Sequence, residues 1–124
     1  MKLFNSDKAP LPAGHYSQAV IQGGMVYVSG QLPVVPGTNE KITGEIEDQA
    51  KQALSNLKTV LEEAGSGIDK VIKTTVYVSD ISLWSRVNAI YADFFGSHRP
   101  ARSVVPTGEL HYGFLIEIDA IAAI

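Results

Sequence analysis

The run from Phe114 to Ile121, Phe-Leu-Ile-Glu-Ile-Asp-Ala-Ile, constrains the fold more than any other segment. As a strand it sends Phe114, Ile116, Ile118 and Ala120 to one side and Leu115, Glu117, Asp119 and Ile121 to the other. Both sides are partly apolar, so a sheet built around it needs cover on one face and shielding on the second. Exposed apolar patches of that kind usually mark interfaces, which makes subunit association the expected shield.

The cover comes from two amphipathic segments. Glu45–Ala64 carries Ile46, Ala50, Ala53, Leu54, Leu57, Val60, Leu61 and Ala64 at helical spacing, with Thr43 as the expected N-cap and Gly65 as the C-cap. A second helical face, Leu83, Trp84, Val87, Ile90, Tyr91, Phe94 and Phe95, follows Asp80 or Ser82 as cap and stops at Gly96 and Pro100. Between the helices lies the β-branched run Val71–Val78. Upstream, Tyr16–Gln22 and Met25–Ser29 flank Gly23-Gly24, a hairpin signal. The stretch after Gly30 and up to Gly44, with Pro33, Pro36, Gly37 and Asn39, reads as a surface loop. A short strand at Ser103–Val105 and a turn with Pro106 and Gly108 complete the order β-β-α-β-α-β-β. This is an α+β arrangement, a mixed sheet with both helices on one face. At 124 residues it is expected to form one domain, 1–124.

Several function classes are excluded or unsupported. The sequence has no cysteine, which removes disulfides, thiolate metal sites and cysteine nucleophiles. His15, His98 and His111 show no metal-ligand spacing, and no Gly-x-Gly-x-x-Gly or P-loop is present. Net charge is −3 with the basic residues scattered, so no stripe exists to neutralise a nucleic-acid backbone. Neither a secretory signal at Met1–Pro10 nor a bilayer-length apolar stretch is apparent, so the expected location is the cytoplasm.

Two features carry potential chemistry. Glu117 and Asp119 share one face of an otherwise apolar strand, where a carboxylate needs a cation, hydrogen-bond donors or a proton. A structural ion pair and a functional acid or base fit that position equally well. Arg102 follows a proline-ordered segment, His98-Arg99-Pro100-Ala101, at a strand entry. Its guanidinium suits a two-pronged grip on a carboxylate, although spacing alone also describes a surface arginine.

The whole chain resembles the RidA/YjgF family of reactive-intermediate deaminases. The resemblance is carried by Gly14-His15-Tyr16-Ser17-Gln18, Val28-Ser29-Gly30-Gln31-Leu32-Pro33, Leu61-Glu62-Glu63-Ala64-Gly65, Val71–Val78, Val87-Asn88-Ala89-Ile90-Tyr91, Arg99-Pro100-Ala101-Arg102-Ser103 and Ile116–Ala122, in that order. It implies a chorismate-mutase-like fold and a homotrimer, with three sheets in a barrel-like core and sites between neighbouring subunits. It further implies hydrolysis of 2-imino acids and their enamine tautomers, released by pyridoxal-phosphate-dependent dehydratases, to 2-oxo acids and ammonia. The family's carboxylate-binding arginine falls on Arg102 and its acidic residue near the attacking water on Glu117. Tyr16, Ser29 and Asn88 match the remaining cleft residues. Val104 stands where many members carry a cysteine, which leaves the main-chain group there to contact the ligand. No metal or organic cofactor is implied, and no nucleic-acid or membrane partner. His15 replaces the usual proline before Tyr16, and the Pro106–Tyr112 segment is also changed, so His15 and His111 become candidates for the pocket rim. Two other roles attached to the family are a non-catalytic trimeric binder that regulates a partner enzyme, and an endoribonuclease. The negative charge speaks against the last.

Overall fold

A computed structural model describes residues 1–124. Six strands, β1 (Lys2–Phe4), β2 (Ala19–Gln22), β3 (Met25–Gln31), β4 (Val71–Val78), β5 (Ala101–Pro106) and β6 (Ile116–Ala123), form one sheet in the order β1-β2-β3-β6-β4-β5. Helices α1 (Ile46–Glu63) and α2 (Trp84–Phe95) both pack on one face of it. Only β4 and β5, joined through α2, run parallel; every other pair is antiparallel. The mixed α+β sheet with two helices on one side is therefore as the sequence implies.

The local chemistry explains the elements. Gly23 and Gly24 both adopt positive φ, 58° and 75°, the conformation a two-residue hairpin between β2 and β3 requires. α1 ends in a Schellman arrangement: Gly65 at φ 90° donates its N–H to Glu62 O, and Ser66 donates to Leu61 O. Asp80 accepts from Ser82 N and so opens the short turn Ile81–Leu83 that feeds α2.

The core lies between the helices and the sheet. Ala50, Ala53, Leu57, Val60 and Leu61 of α1 and Val87, Tyr91 and Phe95 of α2 bury against Val26, Val76, Val78, Ile116, Ile118 and Ala122. Along β6 the residues alternate between buried and half-exposed, Ile116, Ile118, Ala120 and Ala122 being the buried set. The opposite sheet face has no cover within the chain: Glu117, Asp119 and Ile121 are half-exposed, and Tyr27 and Val105 are exposed.

Three details differ from the sequence expectation. A first strand, Lys2–Phe4, precedes the hairpin and pairs with Ala19–Ile21. Thr43 does not cap α1; the cap position is Glu45, and no side chain bonds there. Gln49, one turn in, instead folds back to donate to Gly44 O. Phe114 lies ahead of the last strand rather than in it, buried at the end of the short turn His111–Gly113.

Candidate functional site

Arg102 sits on β5, a strand at the edge of the sheet, and its register partner Thr74 faces the helices. The guanidinium is therefore carried toward α2. There its Nη1 donates to Asn88 Oδ1 at 2.9 Å, and its centre lies 4.7 Å from the Tyr91 ring and 5.7 Å from that of Trp84. Tyr91 is itself fixed by a 2.8 Å hydrogen bond between its hydroxyl and Thr74 Oγ1. Burial pushes the Tyr91 phenol up, so it stays a neutral platform for the cation. Arg102 makes no ion pair; the chain's ion pairs join Lys8 to Glu63 and Arg86 to Glu45 and Glu47. One edge of the guanidinium is thus oriented and its charge is uncompensated. A concavity of about 510 Å³ beside it is lined by Asn88, Tyr91, His98, Arg99 and Arg102, with no acidic residue in its wall.

Glu117 lies on the other face of the sheet. Its partner across the ladder is Tyr77, and Tyr77 donates to Asp119 at 3.3 Å on that same uncovered face. The charge of Asp119, with burial, raises the Tyr77 phenol. Burial also raises the Glu117 carboxyl above the ordinary carboxylate value; His111 opposes the shift, Asp119 adds to it, and no hydrogen bond contributes. A carboxylate so placed is a better proton acceptor than an exposed one.

The chain makes room for this carboxylate with a bulge. Val28 pairs with Ala120 and Gln31 with Ile118, so Ser29 and Gly30 occupy an irregular step in β3. A Cβ on Gly30 would overlap the Glu117 carboxylate and sit 2.8 Å from its carboxyl carbon. Ser29 locks the step by donating its hydroxyl to Ser17 O at 2.6 Å and its N–H to Gln18 O at 2.9 Å. The Tyr16 hydroxyl accepts from Ala13 N at 3.4 Å, which leaves its proton free for another partner. Tyr16, Ser29, Gly30, His111, Tyr112 and Glu117 together line a concavity of about 360 Å³.

The residues singled out from sequence fall into two groups. Arg102 and Asn88 meet on the helix side, and Tyr16, Ser29 and Glu117 meet at the bulge. Nothing within one chain brings Arg102 to Glu117. The Val104 side chain packs on the core, so its main chain is what the exposed edge of β5 offers. His111 lines the Glu117 concavity, whereas His15 is exposed outside it. Gly30 and Tyr91 carry site geometry that residue type alone did not disclose. A glycine in a strand run is a signal for close approach.

Comparison with known proteins agrees with this architecture. Residues 6–124 match the family described as Endoribonuclease L-PSP. The chain is 42% identical over 117 residues to a RutC family protein of Pyrococcus abyssi, covering 94% of this chain and 92% of that one. It is 41% identical over 121 residues to the 2-iminobutanoate/2-iminopropanoate deaminase of Rattus norvegicus, covering 98% of this chain and 88% of the other. Among solved structures, E. coli TdcF with bound serine superposes with a TM-score of 0.94 at 36% identity, over 100% of this chain and 99% of that one. With the bulge, the edge-strand arginine and the sheet order all in place, the chain belongs to the Endoribonuclease L-PSP family, the YjgF/RidA group of proteins.

Proposed function

We propose that the protein hydrolyses 2-imino acids and their enamine tautomers to 2-oxo acids and ammonia, at sites shared between subunits of a homotrimer. The observation that carries this reading is the Arg102 guanidinium, oriented by Asn88 and Tyr91 and lacking any carboxylate partner in its own chain. The half-buried guanidinium spends one N–H on Asn88 and faces an open concavity without a carboxylate, so its remaining donors suit an anion that arrives from outside. The apolar uncovered sheet face and the free edge of β5 favour packing against a second copy. Such packing joins the arginine half of one chain to the carboxylate half of another. The naming of the rat relative as an imine deaminase, and the serine bound to TdcF, point to the same class of small ligand.

The chemistry needs little machinery, because a protonated imine is already electrophilic at carbon. Arg102 grips the substrate carboxylate and fixes C2. Glu117 accepts a proton as water adds to C2, giving a carbinolamine, and returns that proton to nitrogen. The C–N bond then breaks as Glu117 takes the hydroxyl proton, so the C2 carbonyl forms and ammonia leaves, carrying that proton away as ammonium. Positioning supplies most of the acceleration, and burial, by raising the affinity of Glu117 for protons, makes it a better acceptor for the proton of the attacking water. The ribonuclease part of the family description has no electrostatic support in a chain of net charge −3.

The test couples the purified protein to a threonine dehydratase and follows 2-oxobutyrate formation, with Arg102→Ala alongside. Faster release with the native protein and no acceleration over the protein-free rate with the variant is expected; equal rates with and without native protein overturn the proposal. Saturable 2-oxobutyrate binding that Arg102→Ala abolishes, without turnover of any imine, assigns a purely binding role instead.

A further inference from the structure

Behind the Glu117 concavity lies a second chamber of about 320 Å³, lined by Leu11, Pro12, Val34, Asn39 and Lys41 among others. It shares Ala13, Tyr16, Gly30, Leu32 and Tyr112 with the first, so the two tyrosines stand at the passage between them. Proline, leucine, valine and tyrosine side chains share its walls with Gln18, Gln31 and Asn39, and Lys41 is the one charged residue among them.

The chain holds that lysine with unusual backbone. Lys41 bridges Val34 across the loop, and Val35 N and Ile42 N donate to Glu40 O and Pro33 O. Its Nζ lies 4.5 Å from the centre of the Tyr112 ring and enters no ion pair. Two non-glycine residues in the protein take left-handed φ, Asn39 at 61° and Tyr112 at 58°, and both line this chamber. A bulky residue is disfavoured in that region, and such conformations gather at binding sites because the surrounding structure imposes them. Here one supports the hairpin that presents Lys41, and the other holds the ring on which its ammonium rests.

We infer that this chamber receives the side chain of the substrate, and that the preferred substrates are 2-imino acids bearing a second carboxylate at the end of a short methylene chain. Apolar and aromatic walls suit the methylenes, and the lone cation meets the distal anion. The inference rests on the deaminase reading for its reaction but not for its binding. An exposed lysine and carboxylate contribute modestly, so the effect lies in selectivity between substrates rather than in the chemical step.

The experiment compares 2-iminoglutarate with 2-iminopropanoate, each generated in place by an amino-acid oxidase, in the native protein and in Lys41→Ala and Lys41→Arg. Expected is a higher kcat/KM for 2-iminoglutarate in the native protein. Lys41→Ala lowers that value about fivefold through KM, leaves 2-iminopropanoate unchanged, and Lys41→Arg restores it. A native protein without preference, or Lys41→Ala acting equally on both substrates, overturns the inference. Titration with 2-oxoglutarate and 2-oxobutyrate, read by the emission of Trp84, separates the two proposals. Trp84 is the only tryptophan and stands 5.7 Å from Arg102. If no imine is turned over yet 2-oxoglutarate binds more tightly by a Lys41-dependent margin, the reaction fails and the chamber stands. Equal affinities for the two acids, in native protein and Lys41→Ala alike, sink the chamber.

Discussion

Gly30 and Glu117 depend on each other, because any side chain at 30 must displace the carboxylate that lies over it. The displaced atoms are the far end of a flexible glutamate, so the fold has room to adjust while the site does not. Gly30→Ala is therefore expected to lower kcat on order of 10²-fold by moving the carboxylate about an ångström. Its melting temperature should stay within about 3 °C of the native value. A large thermal loss with retained turnover would show the glycine to serve folding alone. Glu117 also leaves a mark on stability. Its ordinary value is 4.5 and burial raises it in the folded state, so the native form holds its proton to higher pH than the unfolded chain does. Stability from this group is complete below about pH 4 and declines as pH rises through the folded-state value. Replacing it with glutamine removes the cost of ionisation. Glu117→Gln should abolish turnover yet melt slightly higher than the native protein at pH 7, with the gain gone at pH 4. Thermal scans at the two pH values decide this.

Helix α2 does two jobs. Its buried Val87, Tyr91 and Phe95 attach it to the sheet, while Trp84, Asn88 and Tyr91 present three groups to Arg102. The helix start is tied to the start of α1 by Arg86, whose Nε and Nη2 reach Glu47 and whose Nη2 also reaches Glu45, each at 2.7 Å. The Arg86 hydrogen bonds hold the Glu47 carboxyl down at about 2. Because that value is depressed, the contribution is present above the ordinary 4.5 and disappears as pH falls toward 2. Arg86→Met should melt below the native protein at pH 7 and low salt. The difference should shrink in 1 M salt, where the Debye length is about 3 Å, and between pH 4.5 and 2. A gap that ignores both variables would assign the loss to side-chain packing.

Most elements were legible at this scale because their signals are local. Gly23-Gly24, the helical faces ending at Gly65 and Gly96, and the alternation of Ile116–Ala122 each declare a structure within a few residues. Lys2–Phe4 has no such signal, since three residues become a strand only by pairing with Ala19–Ile21 across a long loop. Thr43 looked like a cap because residue type was right, but the chain reaches helical geometry at Ile46 and Gln49 satisfies Gly44 instead. The left-handed Tyr112 was equally hidden, as nothing in its identity favours positive φ.

At the level of the whole molecule, the arrangement of the site follows from the parity of two strands. Arg102 is in register with Thr74, which faces the helices, and Glu117 is in register with Tyr77, which faces away. The sequence named both residues, and the family resemblance joined them, yet their separation onto opposite faces needs the pairing of β4 with β5 and β6 at once. The two partners stand three positions apart along β4, an odd offset that puts them on opposite sides. A site using both side chains must therefore be completed by another copy, and this can be tested without a structure of the assembly. Arg102→Ala and Glu117→Gln each lack one half, so each alone should be inactive. If the chain assembles as the proposed trimer, refolding an equal mixture gives an intact junction wherever the subunit giving Arg102 is the glutamine variant and its neighbour is the alanine variant. Random assembly makes that combination at one junction in four, so activity should return to about one quarter of native. Mass measurement confirms whether the subunits have mixed. Mixed trimers no more active than their parents would place both groups' functions within one chain, against the geometry of this sheet.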